Sequence, residues 1–193
     1  MIGIMTVGFN CMWLVLVSAA LSNLRLKNFF SPPETTQQEE IEPLQLHKGT
    51  IYLMKGRNIE RSYILFAEKA KEAANTLIIT RKNPLRIKTL YNLSDIPALW
   101  LSQKEEEDVL FPNQLHKLVY LISEAVFDQE GSLILLDGLE YLIVHNKFED
   151  VLKQLYIIRE VLSRHDAIML IPVDPEAFSE KQLGFLEKES VSI

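Results

Sequence analysis

Cysteine and glycine are scarce in this chain, and each shortage excludes a kind of site. The single cysteine among the 193 residues, Cys11, lies in an apolar leader, so neither an intrachain disulfide nor a cysteine-rich zinc site can form. Only seven glycines are present, and no Gly-Lys-Ser/Thr triplet occurs, so the loop that cradles phosphates in many nucleotide hydrolases is missing. His47, His116, His145 and His165 have neither metal-site spacing nor a nucleophile motif beside them. The residues therefore indicate no catalytic group, no metal site and no cofactor.

Excess positive charge is also absent. The chain has 20 lysines and arginines against 26 aspartates and glutamates, for a formal net charge of −6. Binding to nucleic acid depends on clustered basic side chains that neutralise phosphates. We therefore expect no nucleic-acid partner and favour a protein partner.

Residues 1–24 contain no charged side chain and are mostly apolar. A stretch of about 20 such residues suffices to cross the hydrocarbon core of a bilayer. The basic Arg25 and Lys27 follow it, and basic residues beside a span favour the cytoplasmic side. The pattern predicts a single-pass anchor in the cell membrane with the remainder in the cytoplasm. A signal peptide cleaved near Ser18-Ala19-Ala20, or the last helix of a longer membrane protein, stays open as an alternative.

The segment 25–47 is predicted to be a linker. Its centre has two adjacent prolines, Pro32 and Pro33, followed by polar and acidic residues without apolar periodicity, a composition that does not support a packed core. The folded body is therefore predicted to be a single domain, residues 48–193.

Short apolar runs alternate with amphipathic stretches along the body. The runs predict five strands, at 50–54, 76–80, 97–101, 132–136 and 167–171. The stretches predict helices at 61–74, from Pro112 to 126, from a capping box formed by Asn146 and Glu149 to 162, and at 180–189 with Ser179 as the cap. Such alternation predicts an α/β fold: three layers, with a mainly parallel sheet of about five strands and helices on both faces.

Ligands of open α/β folds usually bind beyond the carboxyl ends of the strands. Charged residues follow four of the predicted strands there: Arg57, Arg81, Asp137 with Glu140, and Asp174. These five are the candidate ligand-binding residues.

Each acidic candidate also has a purely structural interpretation. Asp137 follows four apolar residues, the position from which many nucleotide hydrolases hold magnesium through water, or it caps the turn that Gly138 allows. Asp174 precedes Pro175, and Asp-Pro is a common turn dipeptide. If the last two long strands are neighbours, Asp137 and Asp174 approach each other, and paired carboxylates can bind a hard cation.

Several blocks resemble the archaeal domain-of-unknown-function family 835. They are Thr80-Arg81 with Pro84, Trp100-Leu101-Ser102, the run from Leu135 to Leu142, Asn146 with Phe148, and Val173-Asp174-Pro175. The resemblance implies a fold like that of the RecA and KaiC ATPases without their phosphate loop, in chains that often follow membrane helices or sensory modules. By that resemblance, Asp137 matches the magnesium-site acid of the ATPases.

The sequence therefore favours a membrane-anchored, non-catalytic regulatory or interaction domain in signalling, with an unknown protein partner at the membrane. Tethering would raise its effective concentration near other membrane proteins. Two alternatives stay open: a degenerate nucleotide-binding switch that takes ATP and magnesium, and a metal-dependent hydrolase that uses Asp137, Glu140 and Asp174. Association of the chain with itself also stays open.

Overall fold

The computed structural model describes residues 45–104, 106, 108–127 and 130–193. The predicted span 1–24 and all but the last three residues of the predicted linker lie outside these ranges. No helix within them is long and apolar enough to cross a bilayer. Residues 45–193 form one compact unit.

One parallel sheet forms the centre of this unit. The described residues contain seven strands, all paired in parallel: β1 Thr50–Lys55, β2 Thr76–Thr80, β3 Ala98–Leu101, β4 Val109–Leu110, β5 Leu133–Asp137, β6 Ile168–Val173 and β7 Val191–Ser192. Their order across the sheet is β4-β3-β2-β5-β6-β1-β7. The α/β class is thus confirmed, but the predicted number of about five strands is too low.

The two unpredicted strands are the edge strands, and each has only two residues. β4 extends the sheet by pairing with β3, and β7 by pairing with β1. Two residues are too few to show an apolar run or an alternation in the sequence. β4 and β7 are strands only because they hydrogen-bond to β3 and β1.

Six α-helices of the described residues cover the two faces of the sheet: α1 Glu60–Lys69, α2 Pro84–Tyr91, α3 Leu115–Val126, α4 Leu139–His145, α5 Phe148–Arg164 and α6 Glu180–Lys188. Successive strand residues point to opposite faces, so Ile51 and Leu53 join the core under α3–α6, whereas Tyr52 and Met54 join the core under α1 and α2. The three-layer arrangement is confirmed.

Several predicted helix ends are wrong. The first helix stops at Lys69 and not near Asn75, and the third begins at Leu115, after Pro112. Asn146 does not cap α5; its side chain donates hydrogen bonds to the carbonyl oxygens of Pro112 and Leu142, each at 2.8 Å. The contact with Pro112, 34 positions away in the chain, takes the place of the predicted cap.

α4 and α6 provide two further comparisons with the predicted helices. α4, with seven residues, is too short to be predicted from periodicity. The predicted Ser179 cap of α6 is confirmed, and Gln182 completes a capping box with it.

Candidate functional site

The candidate site lies where β2, β5 and β6 end side by side. β5 pairs with β2 on one side and with β6 on the other. Thr80 and Asp137 are the last residues of β2 and β5, and they are direct register partners. The strand order therefore brings together two polar side chains that are 57 positions apart in the chain.

Tyr63 of α1 completes a buried hydrogen-bond network with these two residues. Its hydroxyl oxygen lies 2.5 Å from Oδ2 of Asp137 and 2.6 Å from Oγ1 of Thr80. Thr80 Oγ1 lies 3.0 Å from the same Asp137 oxygen. Tyr63 and Thr80 are fully buried, and Asp137 is 5% exposed. A buried carboxylate requires such partners, because an unpaired one would be strongly destabilising.

The electrostatics of this network keep Tyr63 protonated. Burial raises the pKa of the Tyr63 phenol well above its usual range, and the Asp137 carboxylate raises it further. The phenol therefore donates its proton toward Asp137 rather than losing it. The network ties α1 to the ends of two central strands.

Neither sequence interpretation of Asp137 describes the observed contacts. Its carboxylate accepts hydrogen bonds from Tyr63 and Thr80 instead of capping the following turn. Gly138 does adopt a φ of +135°, and a Cβ there would lie 3.0 Å from Cδ2 of Leu101. The glycine is thus required by the backbone and by Leu101.

Magnesium held through water does not fit Asp137 as it stands. Such a carboxylate must face solvent and leave room for the ion's water ligands, but Asp137 is buried and Tyr63 fills the place beside Oδ2. Among the residues that the structure describes, no three His, Cys, Asp or Glu side chains are grouped to hold a metal ion.

Glu140 and Asp174 form a separate contact at the same edge. Glu140 Oε1 accepts a hydrogen bond from the backbone N–H of Asp174 at 2.9 Å. Partial burial raises the pKa of the Glu140 carboxyl, with smaller upward contributions from Asp137 and Asp174, and the Asp174 N–H opposes the shift. The Asp174 side chain accepts from Glu176 N and begins a 3₁₀ turn, Pro175–Ala177. The turn interpretation of Asp174 is therefore confirmed.

The loop after β1 differs from a phosphate-binding loop in its charges as well as its glycines. Its cations already have carboxylate partners: Arg57 pairs with Glu176, and Lys55 pairs with Glu187. Asn58 Oδ1 accepts from Glu60 N at 3.0 Å at the start of α1. The positive charges that could attract a phosphate are thus partly neutralised, although the Arg57 pair is largely exposed.

Most of the folded part of the chain matches the model of one protein family. The model of a family described as a protein of unknown function (DUF835) matches residues 56–190, well over half of the chain. The chain belongs to the DUF835 family. No curated protein matches it.

Solved structures similar to this DUF835 chain show the same fold. A KaiC-like protein, PH0186, from the hyperthermophilic archaeon Pyrococcus horikoshii OT3 superposes with a TM-score of 0.52 at 10% identity, over 74% of this chain and 70% of that one. A second P. horikoshii OT3 protein, PH0250, gives a TM-score of 0.52 at 12% identity, over 75% of this chain and 80% of that one. At such identities the likeness establishes the fold and no activity.

The remaining candidate, Arg81, is engaged with aromatic side chains in the DUF835 domain. Its guanidinium carbon lies 4.0 Å from the ring centroid of Tyr141, and its carbonyl oxygen accepts from Nε1 of Trp100 at 3.1 Å. Trp100 is partly buried. Arg81 remains on the surface of the same strand edge.

Two members of the site, Tyr63 and Thr80, are not among the candidate residues predicted from the sequence. Tyr63 is recognisable from sequence only as part of the apolar stripe of α1, and Thr80 only as a strand end. The polar residue at the end of each buried strand is the signal that could have identified Thr80, once β2 and β5 are known to be neighbours. Tyr63 has no comparable signal, because it reaches Asp137 across 74 positions.

Proposed function

We propose that this DUF835 chain is a non-catalytic regulatory or interaction domain, held at the inner face of a membrane by residues 1–24 and acting in signalling. The observation that carries the non-catalytic part is the network around Asp137. In the acid that by resemblance matches the magnesium-site acid of the ATPases, Oδ2 accepts hydrogen bonds from the buried hydroxyls of Tyr63 and Thr80. It serves to fasten α1 to the sheet instead of facing a ligand.

The loop after β1 supports the same proposal. A triphosphate requires several converging backbone N–H groups and a lysine that reaches its outer phosphates. This loop has one glycine, Gly56, and the neighbouring Lys55 is paired with Glu187. A fold of this kind without such a loop is better suited to presenting surfaces to a partner.

Calorimetry with ATP and magnesium tests the non-catalytic part. The purified full-length chain in detergent is expected to give no binding heat at millimolar nucleotide and to release no phosphate, because the loop after β1 has one glycine and the neighbouring Lys55 is paired with Glu187. Binding that disappears in Asp137→Asn but persists in the exposed control Glu124→Gln would instead establish the nucleotide-binding switch. Turnover of ATP would refute the proposal outright.

Membrane fractionation tests the anchor. The full-length chain is expected to stay in the membrane pellet after alkaline carbonate washing. A segment of about 20 uncharged, largely apolar residues has a lower free energy in the bilayer than in water. A variant that lacks residues 2–44 is expected to appear in the supernatant. Release of the intact chain would refute anchoring, and a mass that lacks the first 20 or so residues would show that the leader is a cleaved signal peptide.

A further inference from the structure

α4 has three neighbouring side chains on its outer face. Leu139 and Leu142 are buried, whereas Val144 is 78% exposed and Tyr141 and His145 are partly exposed. At 3.6 residues per turn, Tyr141, Val144 and His145 lie within about 100° of one another around the helix axis. The rings of Tyr141 and His145 are in contact, with centroids 4.2 Å apart. The three side chains therefore form one continuous surface.

Arg81 extends this surface from the end of β2. Its guanidinium carbon lies 4.0 Å from the ring centroid of Tyr141. A Cβ at Gly138, directly before α4, would lie 3.5 Å from the Arg81 Cβ. Arg81 is thus on the side of the sheet that α4 covers. We call Arg81, Tyr141, Val144 and His145 the α4 platform.

The Arg81 guanidinium has no anionic partner among the residues that the structure describes. No carboxylate oxygen of these residues lies within the 4.0 Å ion-pair distance of it, and the hydrogen bond between Arg81 and Trp100 uses the Arg81 carbonyl oxygen. The Tyr141 ring attracts the positive charge but does not take the place of a carboxylate acceptor. Arg57 and Arg159, in contrast, each pair with a glutamate. The N–H groups of Arg81 are therefore available to bind a carboxylate through two hydrogen bonds.

The composition of the platform fits a protein partner better than a polyanion. Binding to nucleic acid or to an anionic membrane surface depends on clusters of basic side chains, but the platform has one arginine in a chain whose net charge is −6. Lys82, the next residue, contacts the ring of Tyr63 in the core on the other side of the sheet. Arginine and tyrosine are enriched at the centres of protein interfaces, where they contribute most of the binding energy.

We propose that the α4 platform binds an acidic segment of a protein partner. A carboxylate of the partner pairs with Arg81, and an adjacent apolar side chain of the partner contacts Tyr141 and Val144. The unpaired guanidinium provides the charge complementarity, and the exposed valine provides apolar surface that is removed from water on binding. This inference rests on the proposed function as an interaction domain and names the chemistry of the partner.

An NMR titration of isotopically labelled residues 45–193 tests the proposal. These residues form one compact unit with every described strand and both hydrophobic cores, so they are expected to fold alone, and the spectrum shows whether each variant is folded. The probe is a short synthetic peptide of alternating glutamate and leucine with both ends capped. It should shift the signals of α4 and Arg81 and saturate at millimolar peptide. The same peptide with glutamine in place of glutamate should bind at least about fivefold more weakly.

Matched variants separate the platform from net charge and from exposed aromatic surface in general. Arg81→Ala should weaken the binding of the glutamate peptide at least about fivefold, whereas Arg86→Ala, which removes the same charge at an exposed position on α2, should change it less than about twofold. Tyr141→Leu keeps the charge and should also weaken the binding, because it removes the ring that positions Arg81. Tyr120→Leu, at a side chain on α3 that is 60% exposed, should not.

Four results would overturn the docking proposal. They are unchanged α4 and Arg81 signals at millimolar peptide, equal binding of the glutamate and glutamine peptides, equal losses in Arg81→Ala and Arg86→Ala, and binding of inorganic phosphate or an oligonucleotide at the platform as tight as that of the peptide. If the peptide binds but the full-length chain hydrolyses ATP, the proposed non-catalytic function fails and the platform stands. If the peptide does not bind and the chain is inert toward ATP, the docking proposal alone fails.

Discussion

Replacing Asp137 by alanine is expected to lower the free energy of unfolding by roughly 3 kcal/mol. The substitution removes the oxygen that accepts from both Tyr63 and Thr80, and both hydroxyls remain buried. They can still bond to each other across 2.6 Å, so one donor stays satisfied and the other loses its acceptor. The free energy of unfolding is therefore expected to fall by more than it would on substitution of an ordinary surface residue.

Urea unfolding of residues 45–193 measures this effect. The fragment retains Trp100 as its one tryptophan, so its fluorescence reports on unfolding. Glu124→Ala, at an exposed acid on α3, is the control and should change the free energy of unfolding by less than about 0.5 kcal/mol. An Asp137→Ala effect no larger than this control would contradict the network.

A double-mutant cycle that combines Asp137→Ala with Tyr63→Phe isolates the contribution of the Tyr63–Asp137 hydrogen bond to stability. Tyr63→Phe keeps the ring, which stacks on Tyr91 with centroids 4.9 Å apart, and removes only the hydroxyl. Its own cost is expected to be about 1 to 2 kcal/mol, and the double variant should cost clearly less than the sum of the single ones. Strict additivity would mean that the Tyr63–Asp137 bond does not contribute to stability.

Replacing Phe66 by alanine is expected to cost roughly 4 kcal/mol of stability. Phe66 is fully buried in the core between α1 and the sheet. Apart from the hydrogen bond between Glu60 N and Asn58 Oδ1 at its start, α1 is held to the sheet by buried side chains such as Phe66 and Tyr63. An alanine there leaves a cavity that the surrounding strands, fixed in the sheet, cannot fill.

The same helix offers a matched control for this substitution. Ile64 lies two positions earlier and is 59% exposed, so Ile64→Ala should change the free energy of unfolding by about 0.5 kcal/mol or less. Both variants are compared by urea unfolding, and Phe66→Leu should fall between them. Similar effects at positions 64 and 66 would contradict the orientation of α1.

Local patterns in the sequence were sufficient for the α/β class and for the five longer strands. Strands buried on both faces are apolar throughout, as Leu133 to Leu136 show, and helices carry their buried residues at three- and four-residue steps, as α5 does. Both signals come from residues close together in the chain. The family resemblance also depends on such local blocks, and the family model confirms it.

Only the tertiary structure determined the contacts of the candidate site. The Asp137 carboxylate could have faced solvent, a metal ion or the following turn, and its own neighbours in sequence are compatible with each. Its partners Thr80 and Tyr63 are 57 and 74 positions away, and the order of strands in the sheet brings them together. The short strands β4 and β7 and the role of Asn146 depend in the same way on distant partners. Hydrogen bonds between residues far apart in the chain leave no periodic pattern, so the sequence alone determined the elements, and the packing of those elements determined the site.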